Sequence, residues 1–137
     1  MNPSLSYASS EDLNYLQEKD NHIKLEMLKK KITNQEIIIA KSNSEYLGWL
    51  RFSYLWDSLP FISLIFLPEN KRKQGIGKKL LLFWEKEMHK AGHKLVITST
   101  QADEEGQFFW RKMGYHDMGA LFEINDGPAE IFFSKKI

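Results

Sequence analysis

The chain has 137 residues, enough for one domain that buries roughly two-thirds of its unfolded surface. Apolar residues make up 42% and charged residues 27%, a globular balance that excludes a fibre or a disordered tail. The net charge of +1, from 19 basic and 18 acidic side chains, gives no global field toward nucleic acid or an anionic membrane, and the absence of cysteine excludes disulfides, thiolate metal sites and a cysteine nucleophile.

The opening Met1-Asn2-Pro3-Ser4-Leu5-Ser6-Tyr7 has neither a basic region nor an apolar core of the secretory kind. Leu5 and Tyr7 alternate with serines and predict a short first strand. Ser9 or Ser10 reads as an N-cap, with Glu11 and Asp12 in the first turn and Leu13 and Leu16 on one face of a helix over 10–19. Ile23, Met27 and Leu28 predict a second helix over 22–32. The β-branched run 36–40, the turn residues Ser42-Asn43-Ser44 and the aromatic run Tyr46–Leu55 predict a hairpin. Asp57-Ser58-Leu59-Pro60 is expected to break the chain before a central strand, Phe61–Leu67, which Pro68 ends. That stretch, interrupted by Ser63, is far short of the ~20 apolar residues of a membrane helix, so a cytoplasmic, soluble protein is expected.

Ile76, Leu80, Phe83, Trp84, Met88 and Ala91 form the apolar stripe of the longest helix, and Gly92 stops it. A buried strand over 94–100, a helix over 104–113 closed by Gly114, and two strands over 115–124 and 129–136 follow. Asn125-Asp126-Gly127-Pro128 marks the turn between the last two. The order is β-α-α-β-β-β-α-β-α-β-β, with the unit from 61 to 100 parallel and the rest mostly antiparallel. No segment reads as a linker, so 1–137 is expected to be a single domain. His89 and His93 lack a third ligand in the sequence pattern, and no metal is expected.

One segment carries chemistry. Between Leu67 and Leu81 an apolar strand ends, two glycines follow, and an amphipathic helix begins. Arg72, Lys73, Lys78 and Lys79 surround the glycines, and no acid stands between Glu69 and Glu85. Unpaired N–H groups at a helix N-terminus beside such cations suit a polyphosphate. The glycines are two apart and Lys79 stands where a P-loop needs a hydroxyl, while Leu80 breaks the dinucleotide fingerprint. What fits is Arg-x-x-Gly-x-Gly, as Arg72-Lys73-Gln74-Gly75-Ile76-Gly77.

This pattern resembles the acetyl-CoA signature of the GNAT N-acetyltransferase superfamily. Phe109-Trp110-Arg111-Lys112-Met113-Gly114-Tyr115 is similar to that family's Phe-Tyr-x-x-x-Gly-Phe run, and the tight resemblance covers roughly 61–115. It implies an α/β fold: a mixed, mostly antiparallel sheet of six to seven strands, a central splayed parallel pair and about four helices. It implies that the amides of Gln74, Gly75, Ile76, Gly77, Lys78 and Lys79 hold the CoA pyrophosphate, and that Arg72 and Lys73 face phosphates. It implies that the main chain of Ile65, Phe66 and Leu67 pairs with the pantetheine arm. Asp103 stands where the family often has an Asn near that arm, and Trp110 where it often has the tyrosine that protonates the leaving thiolate.

The implied reaction transfers acetyl from acetyl-CoA to a primary amine, on a small molecule or a peptide, by direct attack. A backbone N–H near Phe66 or Leu67 is the candidate oxyanion donor. An indole does not titrate usefully, so the thiolate leaves unaided or takes a proton from another donor, Tyr115 being a candidate. Asp57, Glu123 and Glu130 are candidates for contact with the acceptor amine, Asp57 also as the base, with Trp56 as an aromatic face beside Asp57. The other aromatics of 49–61 read as core. A non-catalytic acyl-CoA-binding module of the same fold is the alternative. A nucleic-acid or membrane partner is not expected, and a monomer or homodimer is.

Overall fold

The structure, a computed structural model, describes residues 2–124 and 126–137. Seven strands form one sheet in the order β1-β2-β3-β4-β5-β7-β6, and four α-helices accompany it. The strands are β1 (Ser4–Tyr7), β2 (Ile37–Ser42), β3 (Glu45–Leu55), β4 (Leu59–Phe66), β5 (Leu95–Gln101), β6 (His116–Leu121) and β7 (Glu130–Lys136). The helices are α1 (Leu13–Lys19), α2 (Leu25–Thr33), α3 (Ile76–Lys90) and α4 (Gly106–Lys112). β4 and β5 are parallel, in register at Phe61↔Ile97 and Ile62↔Thr98, and the Thr98 hydroxyl donates to the Ile62 carbonyl at 3.2 Å. The pairs β1–β2, β2–β3, β5–β7 and β6–β7 are antiparallel. No helix among the described residues is long and apolar enough to cross a membrane.

The element order matches the sequence reading, and the boundaries differ at informative places. The break expected at 57–60 is a tight turn at 56–58, with φ of +54° at Trp56 and +62° at Asp57, and Ser58 N–H donating to Leu55 O at 3.2 Å. Positive φ at both central residues matches the twist of a two-residue hairpin. Pro60 then lies inside β4 instead of ending a loop, its fixed φ being compatible with extended backbone near a strand start. β6 stops at Leu121 rather than 124. Asn125, part of the turn expected at 125–128, lies outside the described residues.

Chain contacts divide the protein into two compact units. The first holds the chain up to Phe52 with Leu64–Trp84. Its core joins Leu16, Leu28, Ile37, Ile39 and Trp49, with Leu64 and Phe66 packed against them. Buried charges there are paired. Arg51 Nε meets Asp20 Oδ2 at 3.0 Å, and Lys31 Nζ donates to Phe52 O at 2.6 Å and Glu36 Oε1 at 3.1 Å. Burying such charges unpaired would cost several kcal/mol, on the order of 3–5 per broken pair. The second unit holds Ser53–Ser63 with Glu85–Ile137, around Val96, Ile97, Trp110, Tyr115 and Phe133.

Candidate functional site

The first unit contains the whole basic loop. After β4 come Leu67 and Pro68, one 3-10 turn at Glu69–Lys71, and then Arg72 in extended conformation. Lys73 has φ +62° and Gly75 φ +83°, and α3 begins at Ile76. The loop is fastened by its own side chains: Arg72 Nε donates to Leu67 O at 2.9 Å, and Gln74 Nε2 to Asn70 O at 2.9 Å. Within the helix start, Lys79 N–H reaches Gly75 O at 3.1 Å. The amides of residues 73–78 have no acceptor among the described residues. They are the orphan donors that any helix start leaves, joined here by the preceding turn. Arg72, Lys73, Lys78 and Lys79 are exposed beside them, and a Cβ built on Gly75 meets nothing within 4 Å. A depression of about 250 Å³ is lined by Pro3, Gln74, Ile76 and Lys79. The dipole of a 15-residue helix adds to the local positive potential.

A residue missed in the sequence fixes the end of β4. Gly48 of β3 has φ +153°, and a Cβ there would lie 2.5 Å from Phe66 O and 2.5 Å from Leu67 Cδ2. The backbone of β3 at Gly48 therefore leaves no room for a side chain beside the Phe66 carbonyl. In a trans peptide the following N–H points the opposite way. Leu67 N–H thus faces away from β3, and no acceptor among the described residues takes it. Trp49 stacks on Phe66 with centroids 4.5 Å apart, and Lys71 Nζ meets Glu45 Oε1 at 2.9 Å. The sequence signal was an isolated glycine inside an apolar strand run.

The base of the same hairpin is pinned by Asp12. Its carboxylate accepts Ser9 N–H at 2.9 Å, Tyr46 Oη at 2.8 Å and Lys41 Nζ at 2.7 Å. Burial acts to raise this carboxyl, but Lys41, the Ser9 amide and Tyr46 outweigh it and hold it below the usual range. Tyr15 stacks flat on Tyr46 at 3.8 Å.

Other sequence candidates lie in the second unit. Tyr115 is 2% exposed, and its hydroxyl donates to Glu85 Oε2 at 2.7 Å, with Lys135 Nζ on Glu85 Oε1 at 3.0 Å. Burial first, then the Glu85 charge and hydrogen bond, push the phenol far above its ordinary value. Its proton is engaged in the hydrogen bond to Glu85. Trp110 is buried with its ring 5.1 Å from that of Tyr115. Asp103 is exposed in the turn before α4, and Glu123 is exposed beyond β6 with φ +60°. Trp56, 79% exposed, and Asp57 form the hairpin tip at the N-terminal end of β4, whereas the basic loop follows its C-terminal end. Glu130 opens β7, bound to Ser99.

Against known families, residues 7–127 match the model of the acetyltransferase (GNAT) domain. The chain belongs to the GNAT acetyltransferase family. Solved structures share the fold. A GNAT-family acetyltransferase from Bacillus cereus ATCC 10987 is 23% identical, with 99% of this chain and 98% of that one covered and a TM-score of 0.81. The ribosomal-protein-alanine N-acetyltransferase from Brucella melitensis is 16% identical, covering 98% and 99%, with a TM-score of 0.81. A chain of the NatC complex bound to Gag peptide and CoA is 12% identical, covering 100% and 99%, with a TM-score of 0.83. No curated protein sequence matches the chain.

Proposed function

We propose that the protein transfers the acetyl group of acetyl-CoA to a primary amine in a ternary complex. The observation that carries this reading is the loop 72–79, where the consecutive amides of residues 73–78, without acceptors among the described residues, meet four exposed cations. That donor set suits the pyrophosphate of CoA, which fits the residues present. Of the amides from Gln74 to Lys79, those of Gln74 through Lys78 would hold the pyrophosphate, the Lys79 N–H being spent on Gly75 O. Lys73, Lys78, Lys79 and the free end of the Arg72 guanidinium would neutralise phosphates. Arg72 has donors to spare, since only Nε is taken by Leu67 O. CoA, when bound, supplies the acetyl thioester.

The main chain of Ile65–Leu67 would pair with the pantetheine arm as an added strand. Leu67 N–H, turned away from β3, would donate to the oxygen that gains charge as the amine attacks. No side-chain acid is assigned. A thiol with a pKa of about 8.5 leaves as thiolate near neutrality without a proton donor.

The test is thiol release from acetyl-CoA across a panel of primary amines, run beside acetyl-CoA calorimetry. Turnover with the wild type is expected. Binding without release by any amine, unchanged in Trp110→Tyr, would favour the acyl-CoA-binding module instead. Unaltered acetyl-CoA affinity in Gly75→Glu would remove the loop from the coenzyme site.

A further inference from the structure

Within the second unit, one face of the β5–β7 pair carries packed side chains of the helices. The Arg111 guanidinium of α4 lies 5.4 Å over the Phe133 ring, and Lys135 reaches Glu85 of α3. The other face carries Phe61 of β4, Ser99 of β5, and Glu130 and Phe132 of β7. Residues two apart on a strand share a face, so Glu130 and Phe132 are neighbours. Phe61 and Phe132 stack with centroids 5.9 Å apart and planes inclined by 20°. Ser99 Oγ donates to Glu130 Oε2 at 2.7 Å. All four residues are half-buried, within reach of solvent.

Glu130 differs from every other carboxylate withdrawn from full exposure. Asp12 holds Lys41, Asp20 holds Arg51, Glu36 holds Lys31, Glu85 holds Lys135 and Glu87 holds Lys90. Glu130 has no cation among the described residues, and its Oε1 accepts no hydrogen bond from them. A partly desolvated carboxylate fixed by one hydroxyl, with a free oxygen and two aromatic faces beside it, is complementary to a cation on an alkyl chain.

We propose that Glu130, Ser99, Phe61 and Phe132 form a subsite for the ammonium group of an alkyl amine. Glu130 Oε1 takes the charge, Ser99 orients the carboxylate, and the stacked rings carry the methylenes. An ammonium held against a carboxylate stays protonated and has no lone pair for attack. The group bound here is therefore not the reacting one, and the acceptor class is an alkyl chain with a second amino group. That last step rests on the transfer reaction proposed above; the cation site itself does not.

The experiment uses the full chain. 1,5-Diaminopentane and the neutral 1,5-pentanediol are titrated into wild type, Glu130→Gln and Ser99→Ala, followed by chemical shifts of the Phe61 and Phe132 rings. The wild type should bind the diamine at least about tenfold more tightly than the diol, as expected for a charge-assisted hydrogen bond. Glu130→Gln should abolish that preference and Ser99→Ala should reduce it severalfold. Equal affinities in the wild type, or a preference that survives Glu130→Gln, would overturn the site. With acetyl-CoA present, kcat/KM for the diamine should exceed that for pentylamine by about tenfold, and Glu130→Gln should remove the difference through KM. Charge-dependent binding without thiol release from any amine would sink the transfer reading and leave the cation site standing. Release indifferent to Glu130 would leave the transfer reading standing and overturn the assignment of this subsite to the acceptor.

Discussion

Alanine at position 48 puts the geometry at the end of β4 to the test. The added methyl would sit 2.5 Å from Phe66 O, where ordinary contact begins at 3.4 Å, so one strand must move by about 0.9 Å. Overpacking of that kind costs roughly 1–3 kcal/mol. Holding φ near +153° with a side chain adds about 1–3 kcal/mol more. A total of about 2–6 kcal/mol is a large part of a domain's stability of roughly 5–15 kcal/mol. With an unfolding entropy near 2.1 cal/mol/K per residue, the Tm should fall by about 7–21 °C. Thermal unfolding by circular dichroism reads this. Gly75→Ala separates the terms, because its φ is +83° but its Cβ would meet nothing within 4 Å. It should lose only the conformational part, about 1–2 kcal/mol. Folded Gly48→Ala should also bind acetyl-CoA more weakly, since the displaced peptide is the one whose N–H faces away from β3. A Gly48→Ala midpoint within about 2 °C of wild type, or a loss no larger than that of Gly75→Ala, would refute the close approach as the cause.

Further outcomes follow from the same geometry. Gly75→Glu and Gly77→Glu should abolish acetyl-CoA binding by calorimetry while leaving the unfolding transition cooperative, because each sets a charge and a side chain among the orphan amides. Tyr115→Phe removes one donor from buried Glu85 and should cost about 1–3 kcal/mol in denaturant titrations, with thiol release per folded molecule unchanged. A loss of turnover without a loss of stability would return Tyr115 to the chemistry. Asp12 titrates below its ordinary value of 3.8 in the folded chain, so its contribution is present above that pH and disappears as pH falls through the lower, folded value. The stability gap between wild type and Asp12→Asn should therefore be wide at pH 7 and close at the acid end; a gap that is the same at both ends contradicts the assignment.

Much of the fold was legible because its signals are local. The stripe from Ile76 to Met88 and the apolar run at 61–67 announced the parallel unit, and Arg72–Gly77 announced the loop between them. What escaped depends on partners distant in sequence. Gly48 is informative only beside Phe66, 18 positions on. Tyr115 reads as a free phenol until Glu85, 30 positions earlier, accepts its hydrogen bond. Trp56 and Asp57 read in sequence as an aromatic beside a carboxylate, and their positive φ values, which make the turn, were not legible there.

The four indoles occupy two environments. Trp49 and Trp84 are fully buried and Trp110 is 6% exposed, whereas Trp56 is 79% exposed on its turn. Emission from the native chain should therefore divide into a red-shifted part, quenched by small solutes, and a blue-shifted part shielded from them. Removing Trp56 as Trp56→Phe would strip away the first and leave the interior alone to report. The Nε1 groups of Trp49 and Trp84 are buried with no hydrogen-bond partner among the described residues. Two of the three remaining emitters would thus sit in an apolar, unbonded setting, and the spectrum of that variant would become a direct optical gauge of how dry the interior is.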